Sequence, residues 1–415
     1  MNTNTIHTGD AFDVLPDLPD ESIHAAVTDP PYGLAFMGRD WDDFEPKEYQ
    51  EWCEEWAREC KRVLKPGGHL LAFSGNRTHH RLFTGVEDAG FEIRDTLTWH
   101  YGSGFPKASD ISKTIDKRAD AEGEFTTNGT EAEGNDHLGQ RRVENTGING
   151  SNYAPATDAA KKWDGWKTGL KPATEFVVMA RKSYEGATVD SVLENGTGAL
   201  NIDACRVGGD VDTSRPAGDM GETQDKYGHY EGNQTNGSDT GGRYPANVVF
   251  DETAADALDR EVGELGESKG VRGVNGEQVY GNGDGYLGSM DAEGGQDVGF
   301  GDSGGPSRYF YTSKASRSER TNDGAIENDH PTVKPSDLME WLIRLVTREG
   351  QIVLDPFAGS GTTCLAARGL GREFVGIERQ DKWADVARVR CGLTPDDPSV
   401  VRGDDAQRGL EAFDP

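Results

Sequence analysis

Two consecutive prolines, Pro30 and Pro31, constrain this chain more than any other feature of it. Neither can donate a backbone hydrogen bond, so they end the apolar run at 23–27 and fix a stiff, non-helical loop just past a strand tip. The loop reads TDPPYGL over residues 28–34. It gathers an acceptor carboxylate on Asp29, an acceptor carbonyl on Pro30 and an aromatic face on Tyr32.

Two acceptors converging on one point suit an NH2 group, which has two hydrogens to give. The flat ring beside them suits a planar partner. A nucleobase swung out of its stack and carrying an exocyclic amine meets all of these requirements. The plainer reading is an Asp-Pro turn with a packing tyrosine, so the case depends on what the rest of the chain supplies.

Around the loop the apolar pattern alternates between strands and helices. Residues 5–7 predict a short strand closed by Gly9 and Asp10, 11–18 a short helix, and 23–27 a second strand. Apolar residues at Tyr49, Trp52, Trp56, Cys60, Val63 and Leu64 form one stripe of a helix over 46–64. Lys65, Pro66, Gly67 and Gly68 stop that helix, and a buried strand follows at 69–73. A helix over 79–89 and a long strand over 91–101 complete a strand-helix alternation. The fold class expected is α/β: a Rossmann-like, doubly wound, mostly parallel sheet with an antiparallel edge and large irregular insertions.

The C-terminal third repeats the pattern with a helix at 337–347, a strand at 351–354 and then DPFAGSGTT at 355–363. A strand that enters a Gly-rich turn and then a helix, here 363–370, lets the backbone approach a ligand closely. The next strand, 373–377, ends at Glu378, whose carboxylate can accept both hydroxyls of a ribose.

Charge sharpens the question of partners. With 73 acidic against 43 basic residues the net charge is -30, and counterion release by Lys and Arg, the usual source of affinity for a polyanion, is weak in such a chain. In molar salt the Debye length falls to about 3 Å and surface carboxylates no longer repel phosphate at a distance. Abundant Asp, Glu and Gly with few Lys resemble a halophilic proteome; an acidic partner-binding surface is the other reading. Cys53, Cys60, Cys205, Cys364 and Cys391 form no Cys-x-x-Cys pair and no ligand spacing with His, so they read as reduced thiols, and no metal site is expected. No basic N-terminal region leads into an apolar stretch and no apolar run reaches about 18 residues, so a cytoplasmic protein is expected.

Between the two ordered ends the texture changes. Residues 106–163 are polar and rich in Gly, Asn, Asp and Glu, and 206–308 are similar, with apolar relief only at 246–250 and an aromatic cluster at Tyr309, Phe310 and Tyr311. The run ATEFVVMA at 173–180 is the one core strand there. The division expected, with roles that rest on a family resemblance carried by the motifs, is 1–105 as the catalytic half of the core, 106–164 as an insertion, 165–205 as a core strand region, 206–322 as the target recognition region and 323–415 as the cofactor half. Lys314, Arg317 and Arg320 are candidates for phosphate contact or for surface ion pairs, with Arg141 and Arg142 weaker candidates.

Three motifs together, DPPY at 29–32, HPTVKP at 330–335 and DPFAGSGTT at 355–363, resemble the amino-DNA methyltransferases, which move methyl from S-adenosylmethionine to adenine-N6 or cytosine-N4 amines. The order, catalytic motif first and cofactor motif last, resembles the circularly permuted beta group. YGSGFPKA at 101–108, GTGALNIDACRV at 196–207 and SRYFYTSKASRSER at 307–320 resemble the branch carried by phages and mobile elements. The resemblance implies that Asp29 and the Pro30 carbonyl hold the amine, in a loop stiffened by Pro31, while Tyr32 stacks on the flipped base. It implies a cofactor site of Asp355, Phe357, Gly359, Gly361 and Glu378. Asp10 would accept from the cofactor's adenine amine, and Thr332 and Lys334 would meet its methionine end. The segment VVRGDDA at 400–406 echoes the N-terminal HTGDAFD and offers Asp404 as an alternative to Asp10.

The activity implied is site-specific methylation of double-stranded DNA, with adenine favoured over cytosine-N4 because Asp before Pro-Pro-Tyr is commoner among adenine enzymes. A restriction endonuclease partner is compatible with it. Methylation at carbon 5 of cytosine would need a nucleophilic cysteine, conventionally after proline, and none of the five follows one. A methyltransferase acting on RNA or a protein glutamine, and a non-catalytic DNA-binding or anti-restriction protein, are the readings from other classes.

Overall fold

A computed structural model describes residues 1–34, 44–104, 108–125, 153–212, 241–265, 304–313 and 332–400, with single positions such as Asp42 and His330 and a few short strand segments between. Arg141, Arg142, Lys314, Arg317, Arg320 and Asp404, and most of 213–240 and 266–303, lie outside the described residues. Two units are present, Met1–Gly102 with Thr174–Pro415, and Ser103–Ala173.

The first unit is organised by a nine-stranded sheet. Its strands are β1 (Thr5–Thr8), β2 (Ile23–Thr28), β3 (Leu64–Ser74), β4 (Glu92–His100), β5 (Thr174–Arg181), β6 (Val248–Asp251), β7 (Tyr311–Ser313), β8 (Ile352–Asp355) and β9 (Glu373–Glu378). They lie in the order β1-β9-β8-β2-β3-β5-β4-β6-β7. All neighbours are parallel except β5, which runs antiparallel to both β3 and β4. The mostly parallel sheet is thus as expected, with its antiparallel strand inside the sheet instead of at its edge. Strands β6 and β7 extend it with segments from within 206–322.

Among the described residues the α-helices in chain order are α1 (Ala11–Val14), α2 (Pro46–Val63), α3 (His79–Asp88), α4 (Ile111–Arg118), α5 (Asp158–Lys161), α6 (Thr188–Asn195), α7 (Glu252–Val262), α8 (Ser336–Val346), α9 (Thr362–Gly369) and α10 (Asp381–Arg390). The α2 stripe buries Tyr49, Cys53, Trp56, Cys60 and Val63, a spacing of four and three residues that puts them on one face. Central strands are apolar on both faces because both are covered. Val27, Leu71, Phe73 and Val177 pack with α8, while Ala26, Leu70, Ala72 and Val178 pack with α2.

Two local expectations are refined. The 11–18 segment is one α-helical turn followed by a 3-10 turn, Leu15–Asp17, because Pro16 lacks the N–H that would continue the α pattern. The turn residues after α2 do stop it, yet they lie inside β3. Pairing with β2 runs from Ile23–Leu64 to Ala25–His69, and the residues between form a bulge held by hydrogen bonds from Gly67 N to Lys182 O (3.0 Å) and from Lys182 N to Gly68 O (2.9 Å). All five cysteines are free and buried, and burial pushes the Cys53 thiol up to about 12. No described helix is long and apolar enough to cross a membrane.

The second unit contains α4, α5 and a two-stranded pair, Glu124–Phe125 with Tyr153–Ala154. Buried Asp116 anchors it by accepting from Tyr153 OH (2.9 Å), Ala156 N (2.8 Å), Thr157 N (3.0 Å) and Thr157 Oγ1 (2.6 Å). Four donors on one carboxylate satisfy a group that would otherwise be costly to bury.

Candidate functional site

After β2 the chain crosses to β3 on one side, and after β8 it crosses to β9 on the other. The strand order therefore reverses between β2 and β8, which opens a crevice at their C-terminal ends. The Asp29 loop leaves β2 there and the glycine loop leaves β8. Thr28 Oγ1 donates to Asp355 Oδ1 at 2.6 Å and ties the two tips together.

Asp29 sits within a polar cluster. Lys334 Nζ donates to Asp29 Oδ2 at 2.5 Å and lies 3.4 Å from Glu175 Oε2. The Tyr32 hydroxyl reaches Asp29 Oδ1 at 2.8 Å and Glu175 Oε2 at 2.9 Å, so its single proton has two competing acceptors. The Lys334 ammonium also lies 5.5 Å from the Tyr32 ring centroid and 5.0 Å from that of Phe73. Burial works against its charge, but Asp29 and Glu175 outweigh it and raise its pKa. Burial, the Asp29 and Glu175 charges and hydrogen bonds to both carboxylates hold the Tyr32 hydroxyl protonated well above the usual range.

The loop carrying Asp29 is locked from outside. Tyr49 OH donates to Pro31 O at 2.9 Å, and Asp42 accepts from Gly33 N (2.6 Å) and Leu34 N (3.2 Å). Gly33 has φ +64°, and a Cβ there would meet the Tyr49 ring at 2.7 Å. A side chain at that point would push the loop off its support.

The glycine loop offers a second acceptor set. Gly359 N donates to Glu378 Oε2 at 2.9 Å and Gln380 N to Glu378 Oε1 at 2.8 Å, while burial raises the Glu378 pKa against those bonds. At Gly361, φ is +81° and a Cβ would meet Ala387 Cβ at 2.7 Å, so the α9 N-terminus is shaped by glycine. Phe357 packs on Trp52 (5.3 Å) and Trp56 (5.5 Å). Asp10 caps α1 by accepting from Phe12 N (3.0 Å), and its other oxygen is 3.9 Å from Arg379, next to Glu378. A bare-backbone turn, a carboxylate with remaining lone pairs and an aromatic wall suit a nucleoside-containing cofactor with a ribose.

Asp29, Tyr32 and Lys334 are thus brought together, and so are Gly359 and Glu378, with Asp10 one strand tip away. Pro30 is buried and Pro31 half-buried within the same loop, and Thr332 is exposed, its N–H donating to His330 Nδ1 at 3.4 Å. Lys334, which the resemblance directs to the methionine end of a cofactor, has its ammonium on Asp29. Glu175 is the member the sequence reading missed. Its signal was an acidic residue near the start of the apolar run at 173–180.

Asp355 makes a prediction. It is 3% exposed, and burial, assisted by the Asp29 charge, raises its pKa to about 6 despite bonds from Thr28, Thr363 and Phe357 N. A carboxyl that binds its proton more tightly folded than unfolded loses stability as pH rises, here between about 4 and 6. The cost at neutral pH is about 2–3 kcal/mol, because each tenfold change in proton affinity is worth about 1.4 kcal/mol. Asp355→Asn should flatten this slope, measured as urea-unfolding free energy at about pH 4.5 and pH 7.5. Equal slopes in the two proteins would refute it.

Known proteins similar to this chain share a family. A family model described as DNA methylase, of N6/N4 type, matches residues 23–388. The type II methyltransferase M.HindIII of Haemophilus influenzae is 24% identical over 428 residues, covering 94% of this chain and 95% of that protein. Among solved structures, the PvuII DNA methyltransferase, described as cytosine-N4-specific, aligns with a TM-score of 0.46 at 15% identity over 99% of this chain and 94% of its own. The M1.HpyAVI–SAM complex aligns with a TM-score of 0.37 at 16% identity over 93% and 98%.

Proposed function

The chain belongs to the N6/N4 family of DNA methylases, and from that premise we propose that it methylates the exocyclic amine of adenine at a specific DNA site. S-adenosylmethionine supplies an electrophilic sulfonium methyl when bound, and Gly359, Gly361, Phe357, Glu378 and Asp10 are the residues proposed to hold it. The observation that carries the reading is the Thr28–Asp355 bond, which keeps the amine loop and the glycine loop side by side.

An aminopurine nitrogen is a poor nucleophile because its lone pair is delocalised into the ring. Hydrogen bonds accepted by Asp29 and the Pro30 carbonyl favour a more tetrahedral, electron-rich nitrogen, after which reaction needs mainly alignment. Lys334 Nζ, bonded to Asp29 Oδ2, steadies the carboxylate for that task. The proton shed by the amine has Asp29 as its first acceptor and Glu175, beside the same ammonium, as its second. Tyr32 offers its ring as a stacking face, and a purine gives it more area than a pyrimidine, which favours adenine over cytosine-N4. Target recognition is proposed to come from within 206–322.

DNA methylated with labelled cofactor and digested to nucleosides tests the choice of base. Label should run with methylated adenine; label with the cytosine derivative alone would make the enzyme cytosine-N4-specific. The net charge of -30 adds an expectation of halophilic behaviour. Methyl incorporation should rise as KCl goes from about 0.1 M to about 2 M, against the usual counterion-release trend. A steady loss in folded protein would oppose it.

A further inference from the structure

Residues 161–171 of the second unit, KKWDGWKTGLK, reverse the chemistry of the surrounding sequence. Lys161, Lys162, Lys167 and Lys171 face only one acidic residue within the segment, Asp164, in a chain of net charge -30. Trp163 is 45% exposed, Trp166 59% and Leu170 93%. The two indoles meet edge to face, with ring centroids 5.1 Å apart.

Such exposure is not the result of a loose loop. Trp166 O accepts from Ile111 N at 3.1 Å, Thr168 N donates to Ser109 O at 3.1 Å, and Thr168 Oγ1 accepts from Ser109 N at 2.8 Å. The backbone is fastened while the indoles face outward, an arrangement that leaves apolar area in water at a standing cost. Two of these lysines sit in ion pairs of different kinds. Lys161 pairs with Asp158 at 3.4 Å and Lys167 pairs with Asp110, and both ammonium groups stay well exposed. An exposed pair such as Lys161–Asp158 contributes little and exchanges readily for another anion, whereas Lys167 is held closely by Asp110, whose side chain is 13% exposed.

We infer that residues 161–171 are a DNA-contact surface distinct from the catalytic loops, in which the lysines meet phosphates and the Trp163 and Trp166 indoles lie against bases or sugars. The inference rests on DNA being the substrate. Charge complementarity selects the occupant: a cationic, aromatic surface on a strongly acidic chain matches a polyanion with planar rings, and another acidic copy of the chain lacks the rings. Stacking on an indole also survives salt that would screen lysine–phosphate attraction.

The test uses the full chain with Trp163→Ala/Trp166→Ala and, separately, Lys161→Gln/Lys162→Gln. Affinity for a fluorescein-labelled duplex, KM for DNA, kcat at saturating DNA and S-adenosylmethionine affinity are read against wild type. The Trp variant should lose at least about tenfold in DNA affinity with kcat and cofactor affinity unchanged. The Lys variant should lower the slope of log affinity against log salt by roughly 1–2. Wild-type affinity and slope in both variants, or a change confined to oligomeric state, would overturn the inference while the DNA reading stands. A wild-type chain that methylates no DNA would overturn the reading beneath it.

Discussion

Asp29→Ala is expected to lower kcat by at least about 10³-fold while cofactor affinity stays within about threefold of wild type. The separation follows from the geometry. Asp29 belongs to the β2 tip and engages Lys334 and Tyr32, whereas Glu378, Gly359 and Gly361 belong to the β8 and β9 tips. Asp29→Asn keeps the volume and one acceptor but removes the charge that holds Lys334, so it should retain more activity than alanine and far less than wild type. Cofactor titration by calorimetry distinguishes a lost catalytic group from a lost fold. Near-wild-type turnover in Asp29→Ala, with the cofactor bound, would remove the loop from the mechanism.

The parts of this site that were legible in the sequence are those encoded locally. Pro30 and Pro31 fix their loop by covalent geometry, and the glycines after Asp355 declare a turn that side chains would obstruct. The α2 stripe and the strands at 23–28 and 373–378 carry their periodicity within one segment. Glu175 and Lys334 were placed by tertiary structure instead. Lys334 meets Asp29 across 305 residues and Tyr32 meets Glu175 across 143, and no local pattern contains either separation. Glu175 reads as a charged interruption of an apolar strand until β5 lies between β3 and β4, which brings its N-terminal end to the crevice. Strands β6 and β7 were obscure for a different reason: at four and three residues they are too short to show alternation, and they are held by pairing with β4 and with each other. The bulge in β3 was hidden because Lys65, Pro66, Gly67 and Gly68 carry a helix-stop signal whether the chain then turns away or enters a sheet directly.

The same long-range cluster yields the second large effect. Lys334 is 8% exposed, and its ammonium is the counter-charge to both Asp29 and Glu175. Its pKa is raised in the folded chain, so the stability it contributes is present at all pH values below its unfolded pKa of about 10.4 and is lost only above that, as pH rises through the folded value. Between about pH 6 and pH 9 the wild-type ammonium therefore does not titrate. Lys334→Met removes that cation and leaves two partly buried carboxylates beside each other, so the Asp29 side chain loses the bond that positions it. Asp29 is proposed to hold the target amine, so kcat is expected to fall by at least about 10²-fold. Lys334→Arg keeps a cation at the site and is expected to retain more activity than Lys334→Met. The kcat of the two variants at one pH, with cofactor affinity measured beside it, separates a charge role from a packing role. Equal losses in the two variants would mean that Lys334 shapes the loop without acting as the counter-charge to Asp29, because a cation retained at the site must otherwise preserve part of the activity.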